Sequence, residues 1–131
     1  GSDARGYKNY GLPRPGAMLF GYPVNNFFEY KPFYHILIDP DTLQQRYYDL
    51  SLSDYITPDY TPSYHWYGRN DFVLSTMCWS AQGPVLEEAF EKNNVPHIYH
   101  VYEDAQHAGK GTDAEGWLEE AVAFWEEQVR T

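Results

Sequence analysis

The sequence predicts an α/β fold: about three parallel strands with flanking helices. Three observations carry this. Short runs rich in β-formers are fenced by Pro and Gly. Two longer stretches repeat apolar residues at helical spacing, and after the first run the two kinds of segment alternate. Strand, helix, strand, helix implies a parallel pair joined by a right-handed crossover. The 131 residues, 43% hydrophobic and 18% aromatic, suffice for one domain with its own core and argue against disorder.

Each element has a local reason. GAMLFGYPV, from Gly16 to Val24, is a short apolar run held between Pro15 and Pro23, and it reads as a buried strand. SYHWYG, Ser63 to Gly68, starts a second strand after Pro62. HIYHVY, His97 to Tyr102, starts a third after Pro96. Between these two, Gly83-Pro84 opens a helix with Pro at its tolerated first position. Val85, Leu86, Ala89 and Phe90 form its apolar stripe, and Asn93-Asn94 is its stop. The last helix is announced by TDAE, Thr112 to Glu115, which fits a capping box. Leu118, Ala121, Val122, Trp125 and Val129 then share one face. Glu119, Glu120, Glu126 and Glu127 fall mostly on the other, a solvated face without a function. The tyrosine-rich stretch from Asn25 to Pro62 breaks the rhythm. It reads as a surface excursion with one short helix between Asp39 and Tyr55.

Composition narrows the function classes. Nine basic against nineteen acidic residues leave a net charge of −10, which speaks against nucleic-acid or anionic-membrane binding. One cysteine, Cys78, permits no internal disulfide, and no apolar run approaches the roughly 18 residues of a membrane span. With no signal peptide in view, the expectation leans to the cytoplasm.

Chemistry in an open α/β sheet sits at the carboxyl ends of the strands. After the second strand comes GRND, Gly68 to Asp71; after the third comes EDAQH, Glu103 to His107. Alone, an Asp after a strand is most often a turn or N-cap residue, and a loop His a surface residue. Together, at the ends of successive parallel strands, they make the acid and base of a nucleophile–base–acid triad. The carboxylate accepts from one imidazole nitrogen and stabilises the imidazolium formed when the other takes a proton. The small neighbours Ala105, Ala108 and Gly109 suit a ring presented into a cleft. Other candidates are weaker. His97 and His100 form H-x-x-H, but residues three apart on a strand point to opposite faces and do not share an ion. No metal or cofactor site follows. Cys78 lacks a helix N-terminus or a basic setting that would activate it. His35 and His65 have no partner legible in the sequence.

Taken in order, these motifs resemble the C-terminal half of an α/β-hydrolase of the esterase/lipase branch, which includes acetylxylan-esterase-like and carbohydrate-esterase-like proteins. YGLPRPGAMLFGYPV looks like that family's sixth strand with its lead-in, and ITPDYTPSYHWYGRNDFV like the seventh strand and its turn. NNVPHIYHVYEDAQHAGKG looks like the eighth strand with the histidine loop, and AEGWLEEAVAFWEEQ like the closing helix. The resemblance implies one partial α/β-hydrolase domain over residues 1–131, with 25–62 as a cap-like excursion. It implies Asp71 as the triad acid and His107 as its base, with Tyr22 and Pro23 bordering the substrate site. The substrate it implies is a small-molecule carboxylic ester of a small acyl group, carbohydrate esters being the narrower expectation.

The family's nucleophile elbow has no counterpart. No serine here stands in G-x-S-x-G, Ser80 being flanked by Cys78 and Gln82 and Ser2 followed at the second position by Ala4. The first strand would then present an unmet edge, which predicts self-association or a complementing chain. The rival expectation is a non-catalytic, acidic, aromatic-rich binding or interaction module in which the Asp–His pair is a relic.

Overall fold

A computed structural model describes residues 11, 13–23, 51–72 and 82–130. In chain order these form β1 (Met18–Gly21), a 3-10 turn (Leu52–Tyr55), β2 (Ser63–Gly68), α1 (Gln82–Lys92), β3 (His97–Tyr102) and α2 (Trp117–Arg130). The three strands make one sheet, ordered β1-β2-β3, with both pairings parallel. This is the predicted architecture, an α/β fold of three parallel strands with flanking helices. Cys78, Ser80, Ser2, His35 and most of the 25–62 excursion lie outside the described residues.

The second and third strands begin and end where the sequence places them. The first is shorter than its apolar run. It stops at Gly21 because Tyr22 takes a left-handed φ of 39° and Pro23 has no N–H to give to a ladder. β2 is central and buried along its whole length. Among the described residues β1 pairs on one side only, with β2.

Alternation along the strands sorts the core into two layers. Tyr64, Trp66 and Tyr102 face α2 and join Ala105, Ala114, Ala121 and Phe124 in one buried cluster. On the other face Leu86 and Phe90 of α1 pack with Ile56 and Val95. The H-x-x-H histidines divide as alternation requires. His97 Nε2 lies 3.0 Å from Glu87 of α1, while His100 Nδ1 lies 3.0 Å from Glu120 of α2. Among the described residues no group of three His, Cys, Asp or Glu could hold a metal ion, and no helix is long and apolar enough to cross a membrane.

The helix ends show what punctuation does and does not set. At the end of α1, Asn94 takes a left-handed φ of 53°. Its N–H bonds the Glu91 carbonyl at 3.1 Å, and the Val95 N–H bonds that of Phe90 at 3.1 Å. That is a Schellman closure with Asn in the glycine position and Pro96 just beyond. The start of α2 differs from expectation. Thr112 does cap, its hydroxyl taking the Ala114 N–H at 3.3 Å, but what it caps is a chain of turns, and the helix begins only at Trp117.

The face of α2 is also corrected. Leu118, Val122, Trp125 and Val129 are exposed, and the residues that pack on the sheet are Trp117, Ala121 and Phe124. Aromatic bulk decides this: Trp117 stacks on Tyr64 at 17° between ring planes, and Phe124 also reaches Tyr64. Glu120 shares the packed face and is not simply solvated. Its Oε2 accepts from Tyr64 Oη at 2.9 Å and Tyr102 Oη at 2.8 Å, and lies 3.0 Å from His100 Nδ1. Desolvation pushes the Glu120 carboxyl up, but these three donors outweigh it and hold it below the usual range. Desolvation, together with Tyr102 and Glu120, pushes the Tyr64 phenol well above its ordinary value.

His65, which the sequence left without a partner, is fully buried on the α1 face. It stacks on Tyr99 with 4.7 Å between centroids and lies beside Phe90. Neither ring nitrogen has a hydrogen-bond partner. Burial, with the charge of His97 a lesser cause, lowers its pKa to about 3. Below its unfolded value of 6.5 the unfolded chain binds a proton that the folded chain refuses. Folding stability therefore falls as pH drops from 6.5 toward 3, by up to about 5 kcal/mol from this group alone. Urea denaturation at pH 7 and pH 4 should show about 3 kcal/mol of this loss in the native chain and a clearly smaller one in His65→Phe. Equal losses in both would mean that His65 is not the group concerned.

Candidate active site

Parallel pairing brings the two predicted residues together. β2 and β3 run in register from Ser63 opposite His97 to Gly68 opposite Tyr102, so both chains leave the sheet at the same level. Their loops continue the pairing. The Arg69 N–H bonds the Tyr102 carbonyl at 2.9 Å, and the Asn70 N–H bonds that of Ala105 at 3.0 Å. Asn70 Nδ2 adds a bond of 3.2 Å to the Glu103 carbonyl. On the surface Arg69 clasps Glu103 through two nitrogens, and this guanidinium holds the Glu103 carboxyl below its usual range. The approach is closest at Gly68, where a Cβ would run into the Ala105 carbonyl, so only glycine fits.

Beyond this junction each loop makes a tight turn. The Asp71 N–H returns to the Gly68 carbonyl at 3.2 Å, tucking the Asp71 side chain inward to 1% exposure. The other loop turns through Ala108 and Gly109, both left-handed, at φ 66° and 70°. Gly109 also lies against Trp66 and Ala114, where a Cβ would crowd both. The turn is tied by the Gly109 N–H to the Gln106 carbonyl and by the Thr112 hydroxyl to the Gly109 carbonyl.

The outcome is a contact of 2.8 Å between His107 Nδ1 and Asp71 Oδ2. A carboxylate only accepts, so in the neutral imidazole the hydrogen sits on Nδ1 and the lone pair on Nε2. The His107 side chain is 42% exposed, against 1% for its partner. The carboxylate is thus sealed while the imidazole remains open to solvent. Tyr22 lies against the histidine with 4.6 Å between ring centroids, and its backbone N–H bonds the Trp66 carbonyl at 2.8 Å. Pro23 is held beside it by the Tyr67 hydroxyl, which donates to the Pro23 carbonyl at 2.5 Å. All four residues singled out in the sequence therefore lie at the carboxyl end of the sheet.

Sequence reading named Ala105 only as a small neighbour of the histidine and missed what sets this distance: the close approach of Gly68 to Ala105 and the Arg69–Glu103 clasp. Opposite charges directly after two successive strands were a usable signal for the clasp. The Gly68–Ala105 approach leaves no pattern in one sequence.

Gly68→Ala should therefore cost about 1–3 kcal/mol in urea denaturation, because the added carbon meets backbone that cannot swing aside. Gly111→Ala is the control: φ is 72° but nothing lies within 4 Å, so only the backbone penalty of about 1 kcal/mol applies. Equal costs would show that the two loops are not in close contact.

Solved structures of similar fold exist. A carboxylesterase of Lactobacillus plantarum, Cest-2923, superposes with a TM-score of 0.63 at 19% identity over 87% of this chain and 45% of its own. A sugar hydrolase of Lactococcus lactis, YeeB, gives 0.65 at 19% identity, over 89% of this chain and 50% of its own. An acetyl ester-xyloside bifunctional hydrolase of Caldicellulosiruptor lactoaceticus gives 0.64 at 17% identity, over 96% and 48%. The chain thus spans about half the length of the solved structures it matches. No protein-family model and no curated protein sequence matches it.

Proposed function

We propose that this chain is the acid–base part of a serine carboxylic-ester hydrolase, with His107 as general base, Asp71 as its orienting acid, and the nucleophile supplied by polypeptide outside these 131 residues. The observation that carries this reading is the 2.8 Å contact between an open imidazole and a sealed carboxylate at the carboxyl end of a parallel sheet. The three solved structures of similar fold, all hydrolases by name, support it. No G-x-S-x-G occurs in these 131 residues, so the reading assigns the nucleophile to polypeptide outside them.

The chemistry follows from the proton positions. Asp71 accepts from Nδ1–H and so keeps the Nε2 lone pair available. Nε2 takes the proton of an attacking serine hydroxyl, and the buried carboxylate stabilises the imidazolium. The same proton then passes to the leaving alcohol, and water repeats the sequence on the acyl-enzyme. Tyr22 and Pro23 form the rim of the site. The substrate is an ester of a small acyl group; the acetyl ester-xyloside hydrolase among the similar structures favours a carbohydrate alcohol. The strand bearing the serine seats on the edge of β1 that no described residue pairs, and the residues that polarise the ester carbonyl come with it.

Two assays test this. By itself the chain should hydrolyse p-nitrophenyl acetate no faster than its His107→Ala variant. Robust turnover that His107→Ala abolishes would instead point to Ser80 or Cys78 as nucleophile. A chimera in which the serine-bearing half of the Lactobacillus plantarum carboxylesterase precedes Gly1 should gain hydrolysis, and Asp71→Asn should lower its kcat by about 10²–10⁴-fold. A chimera whose rate ignores Asp71→Asn would remove the triad role.

A further inference from the structure

Asp71 grips His107 at one point. A single hydrogen bond at Nδ1 opposes rotation of the imidazole about its Cβ–Cγ bond, which would take Nδ1 off the carboxylate. Among the described residues it is the only polar tie on the ring, and the loop beyond it is held by turns rather than by a strand. A second contact must set the ring plane, and the described residues offer one ring for it. Tyr22 lies at 4.6 Å between centroids and 57° between planes. Tyr22 is itself anchored by contacts other than the histidine. Its ring meets the fully buried Trp66 edge-on at 5.1 Å and 76°, its N–H bonds the Trp66 carbonyl, and the next carbonyl is held by Tyr67. Trp66 also lies under Gly109, two residues beyond His107. One buried indole therefore supports both the histidine loop and the ring that touches the histidine.

The backbone at Tyr22 is a second, independent observation. Its φ of 39° is left-handed, a conformation that disfavours a bulky side chain and that glycine adopts freely. Gly21 stands immediately before it, so the turn already contains a residue free of that restriction. Strain of this kind persists where the surroundings over-determine it, and here it aims an aromatic ring at the imidazole.

We propose that Tyr22 is a positioning residue for His107: its ring, braced on Trp66, fixes the imidazole plane so that Nδ1 stays on Asp71 and Nε2 stays the open nitrogen. The inference rests on the acid–base reading of Asp71 and His107. The ring carries the effect, so the Tyr22 hydroxyl is dispensable to it.

The test needs no turnover and uses the chain as it is. Two-bond ¹H–¹⁵N spectra of the imidazoles report which nitrogen of each histidine carries the hydrogen, with His107→Gln assigning the signal. His107 should be the Nδ1–H tautomer in the native chain and in Tyr22→Phe. In Tyr22→Ala the Nε2–H population should rise roughly 2- to 10-fold, the range that an ordinary aromatic pair carries. Tyr22→Gly separates the ring from the backbone, since glycine relieves the left-handed φ while removing the same ring; its urea midpoint should lie above that of Tyr22→Ala, yet it should shift the tautomer as Tyr22→Ala does. An unchanged tautomer in both Tyr22→Ala and Tyr22→Gly overturns the proposal. So does loss of the tautomer in Tyr22→Phe, which would assign the effect to the hydroxyl. Asp71→Asn separates this from the reading beneath it. If that variant shifts the tautomer and the Tyr22 variants do not, only the positioning role fails. If Asp71→Asn shifts nothing, the acid–base pairing fails and the positioning role with it.

Discussion

The site depends on two strands staying in register past their own ends. β2 and β3 are hydrogen-bonded as a ladder as far as Gly68 and Tyr102, and the ladder continues through Arg69 and Asn70 into the opposing loop. Gly68 permits this, because the Ala105 backbone occupies the space that a side chain would need. Three residues further along one strand and five along the other, Asp71 meets His107. A slip of one residue would reverse the face of each side chain and send these loops to different levels. The pairing register is therefore also the geometry of the site.

Trp66 is the second fixed point. It lies at the centre of the buried strand and touches Tyr22, Tyr102 and Trp117 with its ring. Its carbonyl takes the N–H of Tyr22 and its ring lies against Gly109. The loops after β1 and β3 thus rest on one side chain from the strand between them. The polar counterpart is Glu120, which ties α2 to β2 and β3 through two phenols and an imidazole. Buried hydroxyls need a partner, and one partly sheltered carboxylate serves both tyrosines.

The two sides of the sheet treat histidine differently. On the α1 face His65 is buried without a hydrogen bond and stays neutral as an aromatic plate among Tyr99, Tyr67 and Phe90. At the carboxyl end of the sheet His107 is half open and bonded to a sealed carboxylate. The residue type is the same. What separates the two is access of the ring to solvent and an acceptor within hydrogen-bond reach of one nitrogen: Asp71 Oδ2 lies 2.8 Å from His107 Nδ1, while Glu87 Oε2 comes no nearer than 3.8 Å to His65 Nε2.

The sequence by itself determined the alternation of elements, the bounds of β2 and β3, the parallel sense of the sheet and the placing of Asp71 and His107 just beyond two neighbouring strands. These are properties of short windows: apolar runs between prolines, helical periodicity, and polar residues just after a strand. Even the opposite orientation of His97 and His100 follows from the two-residue period. Tertiary structure alone decided which face of α2 is buried. Periodicity groups Leu118 with Val122, Trp125 and Val129, but the sheet offers aromatic partners at Tyr64 and Trp66, and the helix turns Trp117 and Phe124 toward them. Tertiary structure likewise delayed the start of α2 to Trp117, turned Glu120 from a solvated residue into a tether, and put Tyr22 against the histidine. Each of these depends on what lies across a gap in space between residues far apart in the chain. A local pattern records what a residue prefers, whereas the packing of distant partners selects which preference is met.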